Sequence, residues 1–366
     1  MKKILKSEGF SNFISSCVAI VIGLLFGLII IVFTNPSGAV GGFTNLLVGP
    51  LTLGMTGIGR ILFYATPILL TGLSVGFAFK TGLFNIGTPG QFIVGAFAAV
   101  YIGIKWTFLP ASIHWLVALI GAFIAGGLWA LIPGLMKAFL NVNEVISSIM
   151  MNYLGMLSVN YLVEAYIFDQ MKAQSYPVAA SAEIPKLGLD KIFSGSAVNA
   201  GILIAILMIV LCYIILNKTK FGFEMKACGF NKDAAKYAGI NEKKNIVLAM
   251  VLAGAFAGLG GGIIYLSGSG KCIQVVEVLA PEGFNGISVA LLGLSNPIGI
   301  LFSGLFISYL TVGGNLMQQF GFIPEIVDII IACIIYCSSL SLMIKIWLSN
   351  RKKQKKLKSE TKEEVA

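Results

Sequence analysis

Residues 13–33 read FISSCVAIVIGLLFGLIIIVF, 21 residues without a charge. A helix of that length is roughly 30 Å long, about the thickness of the hydrocarbon core of a bilayer. The pattern recurs along the chain. Trp115 to Met136, Val198 to Leu216 and Ile246 to Leu266 are comparable uncharged stretches, and Ile61 to Phe79, Val145 to Val163, Pro297 to Leu316 and Ile326 to Ile344 are further candidates. Two shorter apolar pieces, Gln91 to Ile104 and Gly286 to Leu294, each follow a polar, glycine-rich entry. A mean hydropathy of +0.90, with 57% hydrophobic and only 11% charged residues, excludes a soluble globular chain. The expected fold is an all-α polytopic membrane protein of about ten transmembrane helices. Its expected divisions are a cytoplasmic segment over 1–12, a transmembrane domain over 13–348 and a basic cytoplasmic tail over 349–366.

Placing both termini in the cytoplasm leaves 20 of the 26 basic residues inside, among them seven lysines from Lys218 to Lys244 and eight basic residues from Lys345 to Lys362. The six outside are Arg60, Lys105, Lys172, Lys186, Lys191 and Lys271. That asymmetry is the one that orients membrane proteins, so the net charge of +10 reflects topology. These lysines flank spans and are not interleaved with aromatics, which argues against a nucleic-acid partner. The first apolar run is longer than a signal-peptide core and no small-x-small site closes it, so it is read as an uncleaved helix. Six cysteines (Cys17, Cys212, Cys228, Cys272, Cys333 and Cys337) show no metal spacing, and no cofactor is expected.

The third crossing opens with Gly82-Leu83-Phe84-Asn85-Ile86-Gly87 and the eighth with Glu282-Gly283-Phe284-Asn285-Gly286-Ile287. A second pair, Val142 to Ile146 and Ile323 to Val327, sits at the start of the fifth and tenth crossings. Under the ten-crossing count the members of each pair run in opposite directions. Inverted halves with broken helices at matching positions point to a solute path near the midplane. Phe84, Asn85, Gln91, Asn143, Asn152, Phe284 and Asn285 are the candidate path residues. Their amides donate and accept, which suits hydroxyls and base edges, and the rings offer faces for stacking. The plain alternative is that the amides mend broken backbone. Ala253, Gly254, Ala257, Gly258, Gly261 and Gly262 in crossing seven permit close helix contact, within the subunit or with a second one. The segment 164–197 is the largest outside loop and serves either as a connector or as a meeting point for an extracellular partner.

No enzyme constellation is present. His114 sits at the outer edge of crossing four, without a visible Ser or Cys partner, and is read as an interfacial residue. Gly268-Ser269-Gly270-Lys271-Cys272 fails as a phosphate loop, because Tyr265 stands at the first glycine position and Cys272 at the hydroxyl position. Ion coupling would need buried carboxylates, for which Glu144, Glu282, Glu325 and Asp328 are the candidates. The basic loop 217–245 has the form of a short cytoplasmic helix. Asn231 can cap its first turn, Asp233 lies at the positive end and Gly239 can take the left-handed C-terminal position. A helix of about seven residues is marginal in water unless packed against something.

Gly82 to Gln91 (GLFNIGTPGQ), Asn143 to Tyr153 (NEVISSIMMNY), the loop Lys226 to Ile240 and Gly283 to Gly299 (GFNGISVALLGLSNPIG) resemble the permease subunits of binding-protein-dependent ABC importers for branched-chain amino acids, simple sugars and nucleosides. The resemblance covers about residues 15–345, in order, and is nearest to the nucleoside branch. It implies a second permease, or a second copy of this chain, a cytoplasmic ATPase and an extracellular solute-binding lipoprotein in a bacterial plasma membrane. It also assigns Gly229, Asn231, Ala234, Ala235 and Gly239 to the helix that couples to the ATPase. Thr88-Pro89 departs from the family pattern, in which a small residue and Glu precede Gly90-Gln91. A simple-sugar permease and an ion-coupled secondary transporter remain alternatives.

Overall fold

The computed structural model describes residues 8–337 apart from Pro324. The expected tail 349–366 lies outside the described residues, as do Pro324 of the second repeat pair and the end of the last apolar stretch. In chain order the helices are α1 (Glu8–Thr34), α2 (Ala39–Thr52), α3 (Met55–Lys80), α4 (Thr88–Lys105), α5 (Ala111–Leu140), α6 (Glu144–Tyr166) and α7 (Leu189–Ile192). They continue with α8 (Gly201–Lys218), α9 (Lys220–Phe230), α10 (Lys232–Tyr237), α11 (Glu242–Tyr265), α12 (Pro281–Leu292), α13 (Pro297–Met317) and α14 (325–337). Over its described residues, each apolar stretch singled out above falls largely on a helix. Among the described residues, six helices, α3, α5, α6, α8, α11 and α13 with its short extension, are long and apolar enough to cross a membrane. At 12 residues, about 18 Å, α12 is too short to span alone. The unforeseen element is α2. Its three glycines and internal Pro50 carry no local helix signal.

The chain divides into two compact units, 1–47 with 313–366, and 48–312. Within the described part of the first, α1 packs on α14 through glycines: a Cβ on Gly23 or Gly27 would run into Ile334 or Ile330. Phe320 and Phe322 fill the space beside Gly41 and Gly42 of α2, which shows that tertiary contact holds this helix in place of propensity. Asn35 ties the turn between α1 and α2 by donating from Nδ2 to the Phe320 carbonyl at 3.1 Å.

In the second unit α3 and α11 form the centre. Their apolar windows are 78% buried, against 33% in α5 and α8. The small residues of α11 lie inside the subunit: Gly258 meets Gly95 of α4 and Gly126 of α5, and Gly254 meets Ala130 and Gly126. Backbones approach so closely there that a side chain on Gly258 would strike the Ala122 carbonyl. The outward faces are apolar, as on α5, where Ile120, Ile124 and Leu128 are each more than half exposed at successive turns. Such a stripe is a liability in water and at ease in hydrocarbon. The protein is a multi-pass membrane protein.

The long segment after α6 is well structured. Phe168–Asp169 and Gln174–Ser175 pair as a small antiparallel hairpin. Ser175 exchanges bonds with Ile273, its amide donating to the Ile273 carbonyl at 2.8 Å and its Oγ accepting from the Ile273 amide at 3.1 Å. His114, expected to lack a Ser or Cys partner, has one. It is fully buried, with Nδ1 2.9 Å from Ser181 Oγ and Nε2 3.0 Å from the Ile102 carbonyl. The serine partner stands 67 positions away on the long segment, beyond the reach of local pattern.

Candidate functional site

The chain between α3 and α4 is irregular from Gly82 to Gly87, yet half of it is buried, Asn85 among it, so its buried polar groups need partners. Asn85 is wholly buried and pairs reciprocally with Gln91: its Nδ2 donates to Gln91 Oε1 at 2.8 Å, and Gln91 Nε2 donates back to its Oδ1 at 2.9 Å. Asn85 Nδ2 also reaches Ser74 Oγ at 3.0 Å, and its Oδ1 receives the Gly87 amide at 3.2 Å. Asn152 of α6 completes the repair, accepting from the Gly90 amide at 2.9 Å and donating to the Ile86 carbonyl at 2.9 Å. Three amides thus replace the hydrogen bonds that the break removes. Pro89 fits within this turn because the first residues of a helix need no amide partner.

Both expected breaks converge. A Cβ on Gly283 of α12 would come within 2.5 Å of the Pro89 Cα, and Thr71 Oγ1 donates to the Glu282 carbonyl at 3.0 Å. Beyond this junction, at the Tyr265 end of α11, lies a cavity of about 380 Å³. Its apolar walls include Ile93, Met156 and Val276, and Lys271 and Glu282 face each other in it at 2.7 Å. The Lys271 ammonium also sits 5.5 Å from the centre of the Tyr265 ring.

At the opposite end of α11 the basic loop forms α9 and α10. Asn231 caps α10, its Oδ1 accepting from the Ala234 amide at 3.0 Å. Gly239 closes it with φ +78°, and the Gly239 and Ile240 amides donate to the Lys236 and Ala235 carbonyls, both at 3.0 Å. Those were the expected caps, on a helix of six residues. Gly229 packs on the break, for a Cβ there would lie 2.7 Å from the Gly82 nitrogen and the Thr81 carbonyl carbon. Buried beside it, the Cys228 thiol is pushed up by burial and by the carboxylates of Glu242 and Glu224, so it stays neutral.

Residues 57–339 match the model of a family described as branched-chain amino acid transport system / permease component. The chain belongs to this permease family. The permease is 38% identical to the guanosine ABC transporter permease protein of Bacillus subtilis over 347 residues, covering 94% of this chain and 98% of that one. It is 35% identical to the nucleoside ABC transporter permease protein of Lactococcus lactis, covering 92% and 93%. A glucose ABC transporter permease protein of Haloferax volcanii is 34% identical, covering 76% and 75%. No solved structure matches the chain.

The structure separates the expected path residues of the permease. Asn85, Gln91 and Asn152 are spent on the break in this conformation. Phe84 stacks on Phe79 with ring centres 4.9 Å apart, and Asn143 caps α6 by accepting from the Val145 amide at 2.8 Å. Phe284 and Asn285 are partly open, and among the described residues no side-chain hydrogen bond engages Asn285. The coupling residues also divide. Ala234 is exposed, whereas Ala235 is 4% exposed and faces inward, which leaves its side chain out of any docking surface in this conformation. The small size of Gly229 has a reason inside the permease, its contact with Gly82. Phe230 and Tyr237, missed from sequence, flank α10 at 91% and 94% exposure. Lys271, Tyr265 and Asn160 of the cavity were missed as well. Lys271 was read as an outside basic residue and within a false phosphate loop, and its pairing with Glu282 across a loop has no sequence signature.

Proposed function

We propose that this permease is the membrane subunit of an ABC importer that takes up nucleosides across a bacterial plasma membrane. The similarity to the guanosine and nucleoside permeases along more than nine-tenths of the chain carries this reading. An extracellular lipoprotein delivers the solute and a cytoplasmic ATPase supplies the energy. The ATPase docks on α10 through exposed Phe230, Ala234 and Tyr237, with Asn231 and Gly239 holding the helix in shape. Ten crossings in two inverted halves place α10 and both termini in the cytoplasm and the cavity outside. The domain reading follows: 1–12 and 349–366 cytoplasmic, 13–348 the permease domain, 217–245 the coupling loop and 164–197 the outer cap.

Force passes from α10 and α9 through the Gly229–Gly82 contact to the stapled break, and from Pro89 to Gly283 at the floor of the cavity. The path residues take part by remodelling: Asn85, Gln91 and Asn152 hold the closed break, Phe84 and Asn143 set its two flanks, and Phe284 and Asn285 face the solute. A second permease, or a second copy of this one, completes the translocation unit.

Ion coupling is the less favoured reading. Glu144 is paired with Lys137 at 2.8 Å and Glu282 with Lys271 at 2.7 Å, while Glu325 and Asp328 are exposed. Sugar uptake is the second reading, favoured by the relative from Haloferax volcanii. Labelled guanosine and glucose offered to vesicles bearing the whole complex decide the matter. ATP-dependent guanosine uptake that needs the ATPase and survives an uncoupler is the expected result. Uptake that persists without the ATPase and collapses with the uncoupler would sink the reading, and glucose uptake alone would favour the second.

A further inference from the structure

We propose that the 380 Å³ cavity is a binding site for an uncharged, hydroxylated solute bearing a flat ring, and that the Lys271–Glu282 pair rejects charged analogues. This rests on the import reading above and assigns to it a place in the subunit. The volume lies in the range of sites for small molecules, which combine apolar walls with a few convergent polar groups. Here the walls are Ile93 and Met156. Several polar groups keep free capacity. Asn160 donates from Nδ2 to the Val276 carbonyl at 3.0 Å, and among the described residues its Oδ1 accepts no hydrogen bond. Gln174 and Gln274 line the same space, and among the described residues neither side-chain amide is hydrogen-bonded.

The pair sets the charge preference. At 2.7 Å the ammonium and carboxylate cancel, so the cavity presents donors and acceptors without net charge. A phosphate would have to draw Lys271 away and leave Glu282 beside a dianion, which like-charge repulsion opposes. A ribose diol or the edge of a base can instead bridge the pair, since their side chains are 38% and 20% exposed and the interaction is weak enough to exchange. Tyr265 lines the same space with the Lys271 ammonium 5.5 Å from its ring centre, so a flat ring rests on that face once the solute has drawn Lys271 aside.

The test is photolabelling of the complete transporter in nanodiscs with 8-azidoguanosine, followed by peptide mapping. Label is expected in the segment 265–282, displaced by guanosine and not by guanosine monophosphate. Glu282→Gln frees Lys271 and should make the monophosphate compete at least about tenfold better, while Gln274→Leu, on an exposed loop position, should cut labelling severalfold. The site is overturned if label falls elsewhere, if the monophosphate competes equally in the wild type, or if both variants behave as wild type. Guanosine uptake by vesicles with no label in this segment would sink the site and leave the import reading. Label here without uptake would do the reverse.

Discussion

Asn85 and Gln91 each use their amide on the other, a geometry that makes them one unit. Replacing Asn85 by Leu removes half of that unit and strands the Gln91 amide and the Gly87 N–H in a buried place. Each stranded group costs about 1–3 kcal/mol. Asn85→Leu should therefore lower the thermal stability of the detergent-purified permease clearly, and so should Gln91→Leu. The double variant should be less damaged than the sum by at least about 0.5 kcal/mol, as coupled neighbours are. Strict additivity in thermal unfolding would show that the pair is not a unit. The residue types and the break were legible in the sequence. Their mutual satisfaction was not, because hydrogen bonds across a turn and to Asn152, more than 60 residues on, depend on where backbones finally lie.

Among the elements, α10 is the one whose sequence spelled out its structure. Asn231 and Gly239 act locally, through backbone amides within a turn, so their roles could be read from spacing alone. Which face of α10 meets solvent was not readable. The structure buries Ala235 and leaves Phe230 and Tyr237 bare, and exposed aromatics of this size dominate interfaces when they are covered. Phe230→Ala and Tyr237→Ala should each weaken binding of the ATPase by about 1 kcal/mol or more, roughly fivefold, in pull-down or surface-binding titrations, with the elution profile of the permease unchanged. Equal binding by both variants would move the docking surface elsewhere. Ala235→Glu is a poor probe of docking, since it would bury a charge and disturb α10 itself.

On the largest scale, the unit 48–312 has a tight centre where Gly95, Gly126 and Gly258 from three helices meet. Gly258→Val would push α5 and α11 apart against backbone that cannot yield like a side chain. Overpacking of that kind costs about 1–3 kcal/mol or more, so much less folded permease should be recovered from membranes in size-exclusion profiles. Gly188→Val provides the contrast on size alone, for a Cβ there meets nothing within 4 Å, although its φ of +79° adds local strain. Recovery of Gly258→Val at wild-type yield would refute the packing argument. The sequence by itself determined the helical membrane class, the positions of the long helices and the caps of α10, because hydropathy over twenty residues and capping within one turn are local properties. Tertiary structure alone decided that α2 forms, that His114 finds Ser181, that the amides of the first break close on themselves and that Lys271 meets Glu282 over a cavity. Those outcomes depend on contacts between distant segments, whose partners are chosen only when the helices pack.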